Sequence, residues 1–471
     1  MMRARTHLAA LACAGIFAGA CADAIADPLP GPAPCAGPLI ATAAVVADTA
    51  NVLRAFVSAT LANADSVVVR FGLGAARDSA APSASPRGDA VVVQLLGLEP
   101  SRTYGAQLVA YGTCAAPTVV ELPAFTTGTL PADLPAYTTA GSSPAPGYVV
   151  MAAGRYGLVI DNSGRVVWYH RFPDGPGLNF QAQPNGRYVA RPPSPAGTPG
   201  AFVEIDPAGR TTRTLGCARG LPARMHDMIA LDDGSYWLIC DEVRTLDLSA
   251  QGKPTDARVV GATVQHRAVD GDVMFEWSAF DHLAVELAVL DRTDRDATPI
   301  NWTHANAIDL DGEGNLLLSF RNLNEVVKID GRTGTVLWRL GGAHATIALD
   351  PDMLPFVHQH GARFQPNGRV QLLDNLGQPV SRAVAFAIDE PRRLSALTLV
   401  RGTFSGFVAQ LGGSVQTLPN SHTLVSYGSG AGVEEYDRLG EVAWKLAGNP
   451  GYVFRAQRIR SLYQPGVGDP R

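Results

Sequence analysis

One unit recurs along the last two thirds of this chain, and it restricts the fold more than any other feature. The unit is a strand, a turn closed by Gly or Ser, and a second strand. It occurs at 178–191, 226–240, 304–320, 360–373 and 413–427. A second hairpin type lies between these units. It is clearest at 326–340 (VVKIDGRTGTVLWRL) and is echoed at 158–169 and 433–446. Two hairpins make a four-stranded sheet, and such a sheet buries its faces only by stacking on its neighbours. The units begin at 178, 226, 304, 360 and 413, stepping by 48, 78, 56 and 53 residues. That spacing suits propeller blades, with an insertion at about 255–300. Strands near 148–169 and beyond Gly432 supply a further blade, and closing the ring with both leaves only short, protected edges. The expectation is an all-β chain whose residues 147–464 form a six-bladed β-propeller, with seven blades as the alternative.

Residues 36–128 show a different pattern. Short runs such as 66–71 (SVVVRF) and 90–95 (AVVVQL) alternate with turn clusters such as 83–88. This spacing predicts a small β-sandwich. The stretch 96–104 (LGLEPSRTY) resembles the corner of a fibronectin type III domain, where a Leu and a Tyr brace the start of a strand. The segment has no His and only scattered acids, so it reads as a structural or docking module. The proline-rich stretch 129–146 reads as a linker.

At the start, Arg3 and Arg5 precede an apolar run at 8–20, too short for a stable membrane anchor. Ala24-Ile25-Ala26 then offers a small-x-small cleavage site, so 1–26 reads as a secretory signal peptide. Lipidation at Cys21 is the competing reading. No later run of 18 apolar residues exists, and the expected location is the periplasm or the exterior. Cys35, Cys114, Cys217 and Cys240 remain after cleavage, and four cysteines allow three pairings. An oxidising compartment favours disulfides over a zinc site, and local pairing gives 35 with 114 and 217 with 240. A net charge of −5 excludes a nucleic-acid binder held by bulk electrostatics. Lys253, Lys328 and Lys445 are the only lysines, which leaves few groups for Schiff-base or phosphate-cradling chemistry.

The repeat register locates a site. The position eight residues before each turn residue is Leu178, His226, His304, His360 and Gly413, with the third turn running on by two residues to Gly314. Equivalent positions in successive blades form a ring about the propeller axis. One His on a strand is usually structural, but three at one repeat position, in a chain with 10 His, mark a site. Residues two apart share a strand face, so His358 joins His360, Asn306 joins His304 and Met228 joins His226, while Asp227 and Gln359 point away. Arg321 follows on the strand returning from His304 and needs a partner or a ligand, Glu325 being the structural choice. No carboxylate is tied to these motifs, which disfavours glycosidase and hard-cation chemistry. Three His can hold zinc, but only His358-x-His360 has a short ligand spacing, and Arg would be repelled by a metal. Arg grips two oxygens of an oxyanion at once. A neutral imidazole is a competent nucleophile, and a second one can protonate a leaving oxygen. These groups fit transfer of a sulfuryl or phosphoryl group through an imidazole, with no cofactor or metal.

The elements His226-Asp227, His304-Ala305-Asn306, Ser319-Phe320-Arg321 and Gln359-His360-Gly361-Ala362 resemble the bacterial arylsulfate sulfotransferase family. So do 452–456 (YVFRA) and 461–463 (SLY). The resemblance implies a periplasmic six-bladed propeller that moves sulfate from a phenolic sulfate ester to a phenol acceptor, without a nucleotide donor. It makes His360 the nucleophile, with Arg321, His226 and His304 as catalytic partners and Asn306 beside them. His358 is a further substrate-binding candidate. The family's small disulfide near the nucleophile has no counterpart, since no Cys lies beyond 240. A metal-dependent propeller hydrolase or lactonase and an exported non-catalytic binding protein are the rival readings, and a homodimer is compatible with the sequence. Asn301-Trp302-Thr303 matches a glycosylation sequon, and the calcium-like Asp309-Leu310-Asp311-Gly312 has Phe320 where a twelfth-position Glu would be needed.

Overall fold

A computed structural model of the chain describes residues 36–365 and 368–471. The expected signal peptide, Cys21 and Cys35, and with Cys35 its pairing to Cys114, lie outside the described residues. Cys217 and Cys240 form the second expected disulfide.

From residue 138 onward six antiparallel sheets follow one another, each with at least four strands. Their first strands after the turn from the preceding sheet are Phe180–Ala182, Ala223–Ala230, Ala305–Leu310, His360–Gln365 and Ser414–Thr417. The remaining sheet is assembled from both ends of this region. Gln457–Ile459 pairs with Tyr148–Ala153, which continues into Tyr156–Ile160 and Val166–Arg171. Thr138–Ala140, inside the proline-rich stretch, adds a fifth strand beside Val442–Ala447. The repeat turns need a left-handed residue. Gly186, Gly234, Gly314 and Gly368 supply it at positive φ, and Ser421 takes it at φ 65°.

The sheets stack through six apolar clusters, one at each junction including that between the last sheet and the first. Tryptophans on fourth strands staple the junctions. Trp277 Nε1 donates to Gly334 O, Trp338 Nε1 to Glu390 Oε1, and Trp168 Nε1 to Pro207 O. Trp444 Nε1 donates to Asn162 O at 2.9 Å, from the last sheet back to the first. Each indole is buried against the next sheet with its one donor satisfied.

Residues 39–126 form two further sheets, of three and four strands, around a single apolar core. Tyr104 accepts a hydrogen bond at its hydroxyl from Glu99 N at 2.8 Å, bracing the corner read from 96–104. This unit docks on the first sheet, where Asn51 Nδ2 donates to Tyr169 O at 2.9 Å and Leu96 N to the Tyr463 hydroxyl at 3.2 Å.

Candidate functional site

The inner strands converge on a cavity of about 330 Å³, lined among others by Leu178, Arg224, His226, His304, Arg321, His358, His360 and Phe454. The backbone departs from regular strand where the histidines stand. Between Ala223 and Met228 the ladder slips, which frees His226 from strict alternation. His304 precedes its strand at φ 46° and His358 sits at φ 52°. A non-glycine residue in the left-handed region is strained, and such strain persists where the surroundings over-determine it, as they do in functional sites. His360 opens its strand, and the register shifts between it and Arg363.

Three of the predicted ring residues meet. The His226 ring lies 5.1 Å from that of His304 and 5.6 Å from that of His360. Phe454 stands edge-on to His360 at 5.0 Å and beside His226 at 5.7 Å. The other two register positions also contribute. Leu178 lines the cavity, and the Gly413 carbonyl accepts a hydrogen bond from His360 Nδ1 at 2.7 Å. A carbonyl can only accept, so Nδ1 carries the proton and Nε2 keeps its lone pair. That Nε2 is buried without a partner among the described residues.

The electrostatics keep the imidazoles neutral. Burial, reinforced by the Arg455 charge, pushes His360 down to about 3. Burial and then the Arg224 charge hold both His226 and His304 well below the usual imidazole range. Arg321 follows its strand in a short 3-10 turn, Arg321–Leu323. Its partner is Asp294, at 3.4 Å, while Glu325 is taken by Arg339 at 2.6 Å. Glu325 was therefore the wrong acid to pair with Arg321, because the turn carries the guanidinium off the strand and toward the insertion.

His358 lines the cavity, and its Nε2 is 3.2 Å from Asp291. Asn306 does not reach the cavity. It is fully buried and donates from Nδ2 to Gln359 O at 2.7 Å, tying neighbouring sheets together. The positive φ at His304 breaks the two-residue alternation that would have aligned Asn306 with it. Asp227 and Gln359 point away from the cavity as the alternation requires. Asp227 binds Arg363 at 2.7 Å, and Gln359 Nε2 donates to Glu325 O at 2.9 Å.

Several residues of the site carried no readable signal. Arg224 lines the cavity and pairs with Asp241. Asp291 and Asp294 come from the insertion, remote in sequence from the histidines they approach. Phe454 and Tyr452 had a signal in the 452–456 element but no assigned place. Together the cavity combines the unpartnered imidazole nitrogen of His360, three further imidazoles, the guanidinium groups of Arg191, Arg224 and Arg321, and an apolar wall. Such a set can hold an oxyanion against a nucleophile while an aromatic group packs on Phe454. Among the described residues no group of three His, Cys, Asp or Glu has metal-binding geometry.

Residues 221–449 match the sequence model of the arylsulfotransferase (ASST) family. No curated protein matches the sequence. Among solved structures, a protein of unknown function from Bacteroides caccae is 14% identical, with a TM-score of 0.44 over 67% of this chain and 100% of that one. A streptogramin B lyase is 10% identical, with a TM-score of 0.37 over 66% of this chain and 88% of that one. A putative 6-phosphogluconolactonase from Bacteroides uniformis is 11% identical, with a TM-score of 0.37 over 84% of this chain and 100% of that one.

Proposed function

We propose that this chain, residues 221–449 of which match the arylsulfotransferase family, moves a sulfuryl group from a phenolic sulfate ester to a phenol through a covalent intermediate on His360. The observation that carries this reading is the state of His360. Its Nδ1–H is held by the Gly413 carbonyl at 2.7 Å, and its buried Nε2 has no partner among the described residues. An imidazole so fixed, in the wall of the cavity, can serve as a neutral nucleophile.

In the first half-reaction Nε2 attacks sulfur, the N–S bond forms and the S–O bond to the aryl oxygen breaks. The phenolate leaves with the bonding pair. The ring gains positive charge, which its Nδ1–H shares with the Gly413 carbonyl. In the second half-reaction an acceptor phenol attacks the same sulfur as its proton passes to solvent, the N–S bond breaks with its pair returning to Nε2, and His360 returns to its neutral form. Arg321 grips the non-bridging oxygens throughout, and His226 and His304 serve the sulfuryl and leaving oxygens. His358 borders the substrate. A cavity of about 330 Å³ is at the small end for ligand sites, so donor and acceptor use it in turn.

We further propose that the six sheets are the blades of one propeller over 147–464, that 36–128 is a fibronectin-III-like module, and that the protein works in the periplasm or outside the cell. The Cys217–Cys240 disulfide supports an oxidising compartment. The described residues contain no helix long and apolar enough to cross a membrane. The decisive experiment is incubation with p-nitrophenyl sulfate alone, followed by peptide mass analysis. One added sulfuryl mass on the peptide containing His360, absent in His360→Asn, is the expected result. Intersecting initial-rate lines with no adduct would indicate direct transfer and overturn the covalent scheme.

A further inference from the structure

We propose that Asn301, oriented by Asp294, fixes His304 as a neutral Nε2–H hydrogen-bond donor to the reacting oxygens, which makes Asn301 and Asp294 positioning residues. This deepens the sulfuryl-transfer reading and rests on it.

The argument runs through three short contacts. Asp294 Oδ1 is 2.6 Å from Asn301 Nδ2. A carboxylate only accepts, so the amide nitrogen, not the amide oxygen, must face it. The same nitrogen lies 2.8 Å from His304 Nδ1. Having two hydrogens, it donates one to each, and His304 Nδ1 must therefore be the ring's lone-pair nitrogen. The proton of the neutral ring is left on Nε2, and the ring lines the cavity. The main chain that carries the amide is held as well: Asn301 lies in Ile300–Asn301, paired in parallel with Ala257–Arg267, and its main-chain carbonyl accepts from Asn322 Nδ2 at 2.7 Å. Asp294 Oδ2 meanwhile stands 3.4 Å from Arg321 Nη1. One carboxylate of the insertion thus aligns both the anion-gripping guanidinium and, through Asn301, the tautomer of the neighbouring imidazole.

The surroundings oppose a second proton on His304. Arg224 and His226 face it from one strand, Arg321 from the turn that follows the next, and His358 and His360 from a third. Asp294 reaches it only through Asn301. A neutral N–H placed at the bridging or non-bridging oxygens stabilises charge as it develops, with no proton transferred and no imidazolate formed. His226 differs, because its Nδ1 is buried with no partner among the described residues to select its tautomer.

The test uses the full chain. Nitrogen-15 NMR of histidine-labelled protein, with His304 identified by its loss in His304→Gln, should show a protonated Nε2 and an unprotonated Nδ1 from pH 5 to 8. This arm needs no variant at 301. Asn301→Leu keeps comparable bulk and removes the donor. It should lower kcat/KM about tenfold or more for a donor with a weakly acidic phenol and clearly less for p-nitrophenyl sulfate. In the His304→Gln background the same change should cost little further. A parent ring protonated at Nδ1, or an imidazolium at neutral pH, would overturn the inference. So would an equal loss from Asn301→Leu in both backgrounds. A parent that shows the expected tautomer but neither transfers sulfate nor forms the His360 adduct would instead refute the transfer reading. A parent that transfers sulfate with His304 protonated at Nδ1 would refute this inference alone.

Discussion

Asp227→Asn is the substitution that most directly probes how the site is held. The carboxylate is fully buried and lies 2.7 Å from Arg363 and 3.6 Å from both Arg455 and Arg471. It accepts a hydrogen bond from Ile308 N at 3.1 Å and one from Gln181 Nε2 at 3.2 Å. These partners come from neighbouring sheets, so one side chain ties together the strands that carry His226, His304 and His360. The nearby guanidinium charges outweigh the burial and hold its pKa at about 2. Asparagine preserves shape but removes the charge, leaving buried arginines short of a counter-ion. Breaking such a pair from one side costs roughly 3–5 kcal/mol. In a folded region this long, each kcal/mol moves Tm by roughly 1–2 °C, so a drop of about 3–10 °C is expected by calorimetry. Replacing both partners, Asp227→Asn with Arg363→Met, should recover much of that loss, since no unpaired charge then remains between them. An unchanged Tm in the single variant, or a double variant as unstable as the sum of the two singles, would refute the reasoning.

The remaining predictions concern the cross-link, the anion grip and acid. Cys217 and Cys240 close a loop of sequence separation 23; replacing both with Ser should cost about 3 kcal/mol of stability, read from denaturant midpoints with and without reductant. Arg321→Lys keeps the charge but loses the two-pronged grip, and kcat/KM should fall about tenfold or more; a variant as active as the parent would leave Arg321 only its ion pair with Asp294. Exhaustive chelation should leave activity intact, and loss restored by added zinc or calcium would favour a metal-dependent reading. Burial holds His226, His304 and His360 below the ordinary imidazole value, His360 at about 3. Unfolded histidines bind protons near pH 6.5 while these do not, so stability should fall as pH drops from about 6.5 toward 3; a denaturant midpoint flat from pH 7 to 4 would contradict this.

The sheet architecture was readable because the repeat is written in turn chemistry as much as in hydrophobicity. A residue tolerant of positive φ recurs at Gly186, Gly234, Gly314, Gly368 and Ser421, and two strands flank each. That one sheet would be closed by strands from both ends followed from the need to leave no open edge, but of the strands beyond Gly432 only Gln457–Ile459 joins it, while Val433–Tyr436 and Val442–Ala447 complete the sheet before it. The strand at Thr138–Ala140 was not foreseen, because three residues among prolines carry no period. It is set by the free edge of Val442–Ala447, a tertiary fact.

The site was half legible, and the boundary falls at a physical line. His226, His304 and His360 share a repeat position, so symmetry about the axis brings them together whatever the local details. Arg224, Asp291, Asp294 and Asn301 have no such relation, and three of the four sit in or beside the insertion that the repeat arithmetic could only measure. That insertion also reverses one early inference. The histidine motifs turn no carboxylate into the cavity, since Asp227 points away to Arg363, but the space around them does hold acids, where Asp294 meets Arg321 and Asp291 meets His358. Neither acid touches His360. Each pairs with a donor of the site, Asp294 with Arg321 and Asp291 with His358, which is compatible with the proposed sulfuryl transfer. The division is what a repeated scaffold favours: the symmetric strands bring three imidazoles together, and in the inference above the one irregular segment sets the tautomer of His304 alone, that of His360 being held by the Gly413 carbonyl.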